Sequence, residues 1–170
     1  NPDAIPIACC DLVNRGTAYH PSGKIFIQLL QGELAAIDFK TGKELWRAKH
    51  PDHSNAGVEA NGYKQGATMT NAPIVIKDMV IAGISGGEFG VRGRVSAFDV
   101  NTGKQIWTRY STGPDDEVGI QNGVANVNYA SHKGKDLGVS TWTGDEWKRG
   151  GGTTWGWYSY DPEANTLYTS

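Results

Sequence analysis

The chain has 170 residues, a formal net charge of −2 and an isoelectric point near 6.1. Its basic residues form no run, so the charge pattern gives no reason to expect a nucleic-acid partner. Its apolar stretches are far shorter than the ~18 residues of a membrane span, so no span is expected. With 23 glycines, 6 tryptophans and 7 tyrosines, the composition is typical of an all-β protein with many turns.

The only two cysteines, Cys9 and Cys10, are adjacent in the sequence. Neighbouring α-carbons are ~3.8 Å apart, which is closer than the ~4.4 Å that an ordinary disulfide requires. The pair is therefore either two reduced thiols that behave as small apolar groups or a strained ring that offers a flat, sulfur-lined surface to a planar ligand. Arg15 follows closely; its planar fork of donors suits carboxylates and carbonyl oxygens, although taken alone it is more simply a surface charge.

A repeated pattern of strand, turn and strand organises the chain. The units span residues 34–46, 95–107 and, more weakly, 157–168. The aspartates that open the turns, Asp38, Asp99 and Asp161, are 61 and 62 positions apart. Each aspartate is expected to accept hydrogen bonds from its own turn, and a following glycine allows a positive φ.

The spacing of these units predicts part of a β-propeller. Apolar runs at Lys24–Leu29 and Met79–Gly83 predict further strands before the first two units, and Trp46 and Trp107 are expected to pack between blades. A fixed period built from short strands indicates propeller blades or a solenoid. Propellers need about 4–8 blades and the chain holds fewer than three periods. Residues 1–170 are thus expected to form one partial propeller domain of two to three blades, the alternative being a small β-sandwich with two similar hairpins.

Three stretches between the repeats stand out. Residues 84–93 are rich in glycine, which lets a backbone approach a ligand closely, and they carry Glu88, either a ligand for a hard cation or a solvated turn carboxylate. Residues 112–136 are polar without clear period and predict a long insertion loop, with an exposed acidic turn at 115–117. Three glycines at 150–152 precede Trp155 and leave one face of its indole open for stacking on a planar ring, unless this tryptophan packs between blades.

The segment around the cysteine pair, the glycine-rich stretch and the stretch that leads to Trp155 together resemble one family. Residues 8–16, 85–93 and 150–157 are similar to the large subunit of pyrroloquinoline quinone (PQQ)-dependent alcohol dehydrogenases of the methanol dehydrogenase type. The repeated Ala-x-Asp-x-x-Thr-Gly-Lys-x-x-Trp string resembles the tryptophan-docking motif of that family. The resemblance runs across essentially the whole chain and implies an eight-bladed β-propeller with PQQ on its axis.

The resemblance also implies the residues of a site. Cys9 and Cys10 would form a vicinal disulfide on one face of PQQ, Trp155 would stack on the other, and Glu88 would bind the metal, Ca²⁺ or a lanthanide(III) ion. The sequence around Gly87 and Thr154 favours the lanthanide branch. The positions that match contacts to the carboxylates and carbonyls of the cofactor are Arg15, Thr70, Ser85, Gly86, Gly87 and Thr153.

The implied activity is the oxidation of methanol or other small primary alcohols to aldehydes by metal-assisted hydride transfer to PQQ, with electrons passed to a cytochrome c. The implied location is the bacterial periplasm, where a disulfide persists. The full-length protein is expected to form a homodimer or to associate with a small subunit. No catalytic residue is expected within the chain. The catalytic Asp and further metal ligands are expected beyond Ser170, and a first blade before Asn1, so the chain alone is expected to be inactive. The competing hypothesis is a non-catalytic propeller with the same repeat that serves as an assembly scaffold.

Overall fold

The computed structural model describes residues 2–8, 10–49, 66–120 and 135–170. Most of the regular structure in these residues is antiparallel sheet. The strands are β1 (Thr17–His20), β2 (Lys24–Leu29), β3 (Glu33–Asp38), β4 (Glu44–Lys49), β5 (Ile74–Ile76), β6 (Met79–Gly83), β7 (Arg94–Asp99), β8 (Gln105–Tyr110), β9 (Tyr158–Asp161) and β10 (Thr166–Thr169). The helical pieces are α1 (Asp115–Val118), α2 (Leu137–Ser140) and the 3-10 turns Pro2–Ile7, Gly87–Phe89 and Glu146–Lys148. Within this part of the chain, no helix has the length and apolar character to cross a membrane.

The strands form two four-stranded sheets and one hairpin. The first sheet has the order β1-β2-β3-β4, the second has the order β5-β6-β7-β8, and β9 pairs with β10. Within each sheet, every strand is antiparallel to the strands that it pairs with. The register shifts at equivalent places in the two larger sheets, between Ala36 and Ile37 and between Ala97 and Phe98. A repeated four-stranded antiparallel sheet is the blade of a β-propeller, which confirms the all-β propeller prediction.

The predicted aspartate turns are present in both sheets. Asp38 Oδ1 accepts hydrogen bonds from the backbone and hydroxyl of Thr41, both at 2.7 Å. Asp99 Oδ1 accepts the equivalent bonds from Thr102, both at 2.8 Å. Hydrogen bonds of this kind favour the ionised carboxylate, so the pKa of each aspartate is lowered from its ordinary value. In the third unit Asn165 rather than glycine has the positive φ, +50°.

The second sheet buries both of its faces, because successive side chains of a strand point to opposite sides. Val80 and Phe98 pack with Phe26 of the first sheet in one buried cluster. Ile81 and Ala97, their neighbours in sequence, pack on the opposite face with partly buried residues that include Leu167 of β10. The apolar runs that predicted the strands therefore also supply the cores between successive blades.

Tryptophan docking fastens the first sheet to the second. Trp46 Nε1 donates a hydrogen bond to the carbonyl oxygen of Val100 at 3.2 Å, and its ring lies against Gly103, where an added Cβ would come within 2.6 Å of Trp46 Cε3. Trp107 packs on the cluster that joins the second sheet to the last hairpin. The prediction that Trp46 and Trp107 lie between blades is thus confirmed.

The loop prediction for residues 112–136 is wrong in part. Residues 121–134 lie outside the described residues, but Pro114 is followed by the one-turn helix α1. Acidic residues in a first turn favour a helix start, and one turn is too short to show a period. Asp115 is not simply an exposed acid either, since its carboxylate accepts hydrogen bonds from the backbone of Leu137 at 3.2 Å and Gly138 at 2.7 Å.

Candidate functional site

A cavity of about 260 Å³ lies where the segment before β1, the segment before β5, the loop after β6 and the segment before β9 meet. Four separate stretches of sequence contribute to it, so the fold rather than one motif creates it. The residues that line it are Ala8, Cys10, Asp11, Val13, Arg15, Thr68, Thr70, Ser85, Gly86, Glu88 and Trp155.

Arg15 and Trp155 form one corner of the cavity. The backbone amide of Arg15 donates to the carbonyl oxygen of Thr70 at 3.0 Å, and its Nη1 donates to the same oxygen at 3.3 Å. The Arg15 Cζ atom is 5.0 Å from the centroid of the Trp155 ring, within the range of a cation–π contact. Trp155 is 49% exposed, so this corner offers an aromatic surface and a guanidinium to a ligand.

Next to Arg15 and Trp155, the cavity is lined by the hydroxyl groups of Thr70 and Ser85 and by the backbone of Gly86. The Thr70 and Ser85 hydroxyl oxygens are 3.1 Å apart and share a hydrogen bond, while the Ser85 amide donates to the carbonyl oxygen of Thr68 at 2.8 Å. Gly86 has φ +106°, and a Cβ at this position would overlap the carbonyl oxygen of Gly66. Only glycine fits there, which leaves backbone exposed to the cavity.

Glu88 lies at the centre of the 3-10 turn Gly87–Phe89 and is exposed at the cavity edge. Gly86 and Gly90 flank this turn in left-handed conformations, with φ +106° and +88°. The Gly90 amide donates to the carbonyl oxygen of Gly87 at 3.2 Å. Among the described residues, no group of three or more His, Cys, Asp or Glu side chains is arranged to hold a metal ion. Glu88 thus presents its carboxylate at the cavity edge from a turn that two left-handed glycines flank.

Hydrogen bonds through Thr154 tie Trp155 to the glycine loop. The Thr154 amide donates to Ile84 O at 3.0 Å, and its hydroxyl donates to Arg94 O at 2.7 Å. Tyr158 Oη donates to the carbonyl oxygen of Thr154 at 2.6 Å. Burial is the main reason that the pKa of Tyr158 is raised to about 12. The phenol is therefore protonated at neutral pH and can donate this hydrogen bond.

The structure brings most of the sequence-predicted residues together. The predicted residues that line the cavity are Cys10, Arg15, Thr70, Ser85, Gly86, Glu88 and Trp155. Gly87 and Thr153 are not among the lining residues. They lie close to each other, since a Cβ on Gly87 would lie 3.2 Å from Thr153 Cγ2. Cys9 lies outside the described residues.

The cavity also includes residues that sequence reasoning missed. Thr68 and Asp11 line it, and Asp11 has a positive φ of +64°, which is uncommon for a residue other than glycine. A threonine two positions before Thr70 and an aspartate beside the cysteines were weak signals, since such residues are common in turns.

The fold and the cavity define a class: a β-propeller whose blades are joined by docked tryptophans and whose cavity presents an aromatic face, a guanidinium and a carboxylate. Residues 10–170 match the family described as PQQ: glucose/ethanol/alcohol dehydrogenase, beta-propeller domain. The chain belongs to this family.

Curated relatives and a solved structure agree with that assignment. The chain is 51% identical over 168 residues to the lanthanide-dependent methanol dehydrogenase of Methylacidiphilum fumariolicum and 47% identical over 173 residues to methanol dehydrogenase (cytochrome c) subunit 1 of Methylorubrum extorquens. Each alignment covers 99% of this chain and 26% of the relative. A solved europium-containing methanol dehydrogenase matches with a TM-score of 0.81 and 50% identity, over 98% of this chain and 27% of that one. The chain thus spans about a quarter of the length of these relatives.

Proposed function

We propose that this chain is a segment of a periplasmic PQQ-dependent dehydrogenase that oxidises methanol or other small primary alcohols to aldehydes. The observation that carries the proposal is the cavity in which Trp155, Arg15 and Glu88 converge. The relatives support it, since those at 51% and 47% identity are named methanol dehydrogenases. All 170 residues would belong to one partial propeller domain, without a second domain.

The residues of the cavity suit PQQ, a planar quinone with several carboxylates. The half-exposed ring of Trp155 offers a face for stacking. The guanidinium of Arg15 has donors beyond those that reach Thr70 O, and such a fork suits a carboxylate. The hydroxyls of Thr70 and Ser85 can donate to oxygen atoms of a ligand, and Gly86 lets a ligand approach the backbone.

We propose a disulfide between Cys9 and Cys10 as the wall opposite Trp155. Cys10 takes part in a disulfide, and Cys9 is the only other cysteine of the chain. A ring that closes between adjacent residues adds little to stability, because it closes almost no loop, but it makes a rigid surface. A persistent disulfide is also the basis for proposing the periplasm.

Glu88 would supply one carboxylate ligand to a hard cation, either Ca²⁺ or a lanthanide ion. Its fixed turn and exposed position at the cavity edge fit that role. The remaining ligands, and the aspartate that would act as general base toward the alcohol, would come from outside residues 1–170. The lanthanide is supported by the name of the relative at 51% identity.

When bound, PQQ would accept the hydride of the alcohol while the metal acts as a Lewis acid. The chain itself would bind and orient: Trp155 fixes the plane of a ligand, Arg15 neutralises its carboxylates, and Glu88 holds the cation. Transfer of electrons to a cytochrome c is supported by the printed name of the relative at 47% identity. A homodimer or an assembly with a small subunit is proposed on the family resemblance alone.

The test is reconstitution of the complete protein prepared without cofactor. Addition of PQQ with Ca²⁺ or Eu³⁺ is expected to restore the oxidation of methanol or ethanol coupled to reduction of cytochrome c, while either addition alone is not. Residues 1–170 alone are expected to be inactive under the same conditions. A complete protein that binds neither PQQ nor metal would favour the non-catalytic assembly scaffold, which gives this cavity no role.

A further inference from the structure

Arg92 is a charged side chain buried beside the glycine loop. Its side chain is only 5% exposed, and its Nη1 atom is 2.6 Å from Glu117 Oε2 in α1. Its Nε donates to the carbonyl oxygen of Thr112 at 2.7 Å. Its Cζ atom lies 3.8 Å from the ring centroid of Tyr110 and 4.9 Å from that of Trp147.

The environment of Arg92 is specific for arginine. A buried charge is costly unless it is paired and hydrogen-bonded, and here one carboxylate, one carbonyl and two aromatic faces meet the guanidinium. Lysine would keep the charge but lose the flat stacking surface and the fork of donors. Gly113 lies so close that a Cβ there would overlap Arg92 Nη2.

Backbone contacts at Arg92 join the segment that carries Glu88 to the segment that carries Trp155. Arg92 pairs with Gly151 in a parallel bridge, and the Gly93 amide donates to the carbonyl oxygen of Gly151 at 3.0 Å. Glu88 lies four positions before Arg92 on one side of this joint, and Trp155 lies four positions after Gly151 on the other.

Glycines allow the two backbone segments to pack in direct contact at this point. A Cβ on Gly93 would overlap the carbonyl oxygen of Gly152, and a Cβ on Gly150 would lie 2.6 Å from the carbonyl oxygen of Gly87. Two backbones in direct contact move together, because close-packed interiors transmit displacements. A shift at Arg92 would therefore reach both the turn of Glu88 and the segment of Trp155.

We propose that Arg92 is a positioning residue that fixes the spacing between Glu88 and Trp155, through its ion pair with Glu117 and its stacking on Tyr110 and Trp147. Arg92 is not among the residues that line the cavity, so it acts through other residues. The inference rests on the proposed function, since it concerns the metal and PQQ that those two side chains would hold.

The experiment compares variants of the complete protein prepared without cofactor. Arg92→Lys and Glu117→Gln are tested against matched changes at the exposed ion pair of β4, Arg47→Lys and Glu44→Gln. Affinities for Eu³⁺ in the presence of PQQ, the luminescence lifetime of bound Eu³⁺ and the thermal midpoint of the cofactor-free protein are measured. Loss of a supporting partner typically weakens metal binding ~10–100-fold, so Arg92→Lys is expected to raise the Eu³⁺ Kd at least ~10-fold.

The luminescence lifetime of bound Eu³⁺ distinguishes a loss of positioning from a loss of stability. Displacement of Glu88 admits water to the ion and shortens the lifetime, whereas a merely less stable protein keeps the lifetime of the parent. Glu117→Gln, which keeps the arginine, is expected to give a smaller change in the same direction, and the β4 variants none. Parental lifetime and Eu³⁺ affinity in both Arg92→Lys and Glu117→Gln would overturn the inference. If the parent itself binds neither PQQ nor Eu³⁺, the proposed function fails instead.

Discussion

The Cζ atom of Arg15 lies 5.0 Å from the ring centroid of Trp155. Arg15 precedes the first blade and Trp155 precedes the last hairpin, so two residues from opposite ends of the described fold meet at this cavity. A cation beside a half-exposed aromatic face is suited to a planar anion, because the face stacks on the ring system while the guanidinium pairs with its carboxylates.

Trp155 is predicted to carry much of the affinity for PQQ. In the complete protein, Trp155→Ala is expected to raise the PQQ Kd ~10-fold, the equivalent of the ~1.4 kcal/mol that aromatic stacking can supply. Trp155→Phe keeps a ring and is expected to lose less. The measurement is a fluorescence titration with PQQ at saturating metal. Trp157→Ala, at a 63% exposed tryptophan outside the cavity lining, is the control, and an equal loss in that variant would contradict the assignment.

Glu88→Gln is predicted to remove metal binding while leaving the fold intact, because the amide keeps the size of the side chain but loses the charge that a hard cation requires. The metal Kd of the complete protein is expected to rise by more than ~100-fold, beyond the usual effect of a supporting partner. Metal analysis after dialysis measures it. Glu163→Gln, at an exposed turn, should retain full metal content; unchanged content in Glu88→Gln would show that this carboxylate is not a ligand.

Trp46 is predicted to stabilise the contact between the first two blades. Trp46→Phe loses the hydrogen bond to Val100 and is expected to lower the free energy of unfolding by ~1 kcal/mol, whereas Trp46→Ala also loses packing and should cost ~3 kcal/mol. Urea titration of the complete protein measures both. Trp142→Phe, at a 42% exposed position, should change little, and an equal effect of all three would argue against docking.

The turns of Asp38 and Asp99 are predicted to make stability fall in acid. Hydrogen bonds from Thr41 and Thr102 are the largest causes that lower the pKa of these carboxylates from 3.8. A lowered folded-state pKa gives stability that is present above about pH 4 and is lost as the pH falls through the folded-state pKa. The double variant Asp38→Asn/Asp99→Asn can accept the same bonds without titrating.

The thermal midpoint between pH 5 and pH 2 is the readout for these turns. Below about pH 4, the thermal midpoint of the parent is expected to fall further than that of the double variant. Asp116→Asn, at an exposed position of α1, should follow the parent. Parallel curves for parent and double variant would mean that the turns contribute nothing to the pH dependence.

Local pattern predicted much of the fold. The strands at Lys24–Leu29 and Met79–Gly83 have the predicted bounds, because each is a β-rich apolar run between turn residues. The sequence did not predict β1 and β5, which have four and three residues, too few for a pattern. Their place in the sheets depends on pairing with β2 and β6 rather than on their own composition.

The site was only partly predictable, because its contacts too depend on residues that are far apart in sequence. The family resemblance identified Trp155 and Glu88, and the fold brings them to one cavity. Arg92 stands in the same glycine-rich stretch as Glu88, but its importance depends on Glu117 and Trp147, which are distant in sequence and were not expected near it. Contacts of this kind come from tertiary packing and leave no local signal.

The most direct test is a crystal structure of the complete protein with PQQ and its metal. We expect PQQ to be stacked between Trp155 and the Cys9–Cys10 disulfide, with a carboxylate of PQQ at Arg15 and the metal bound by Glu88. PQQ bound elsewhere, or a metal site without Glu88, would contradict it.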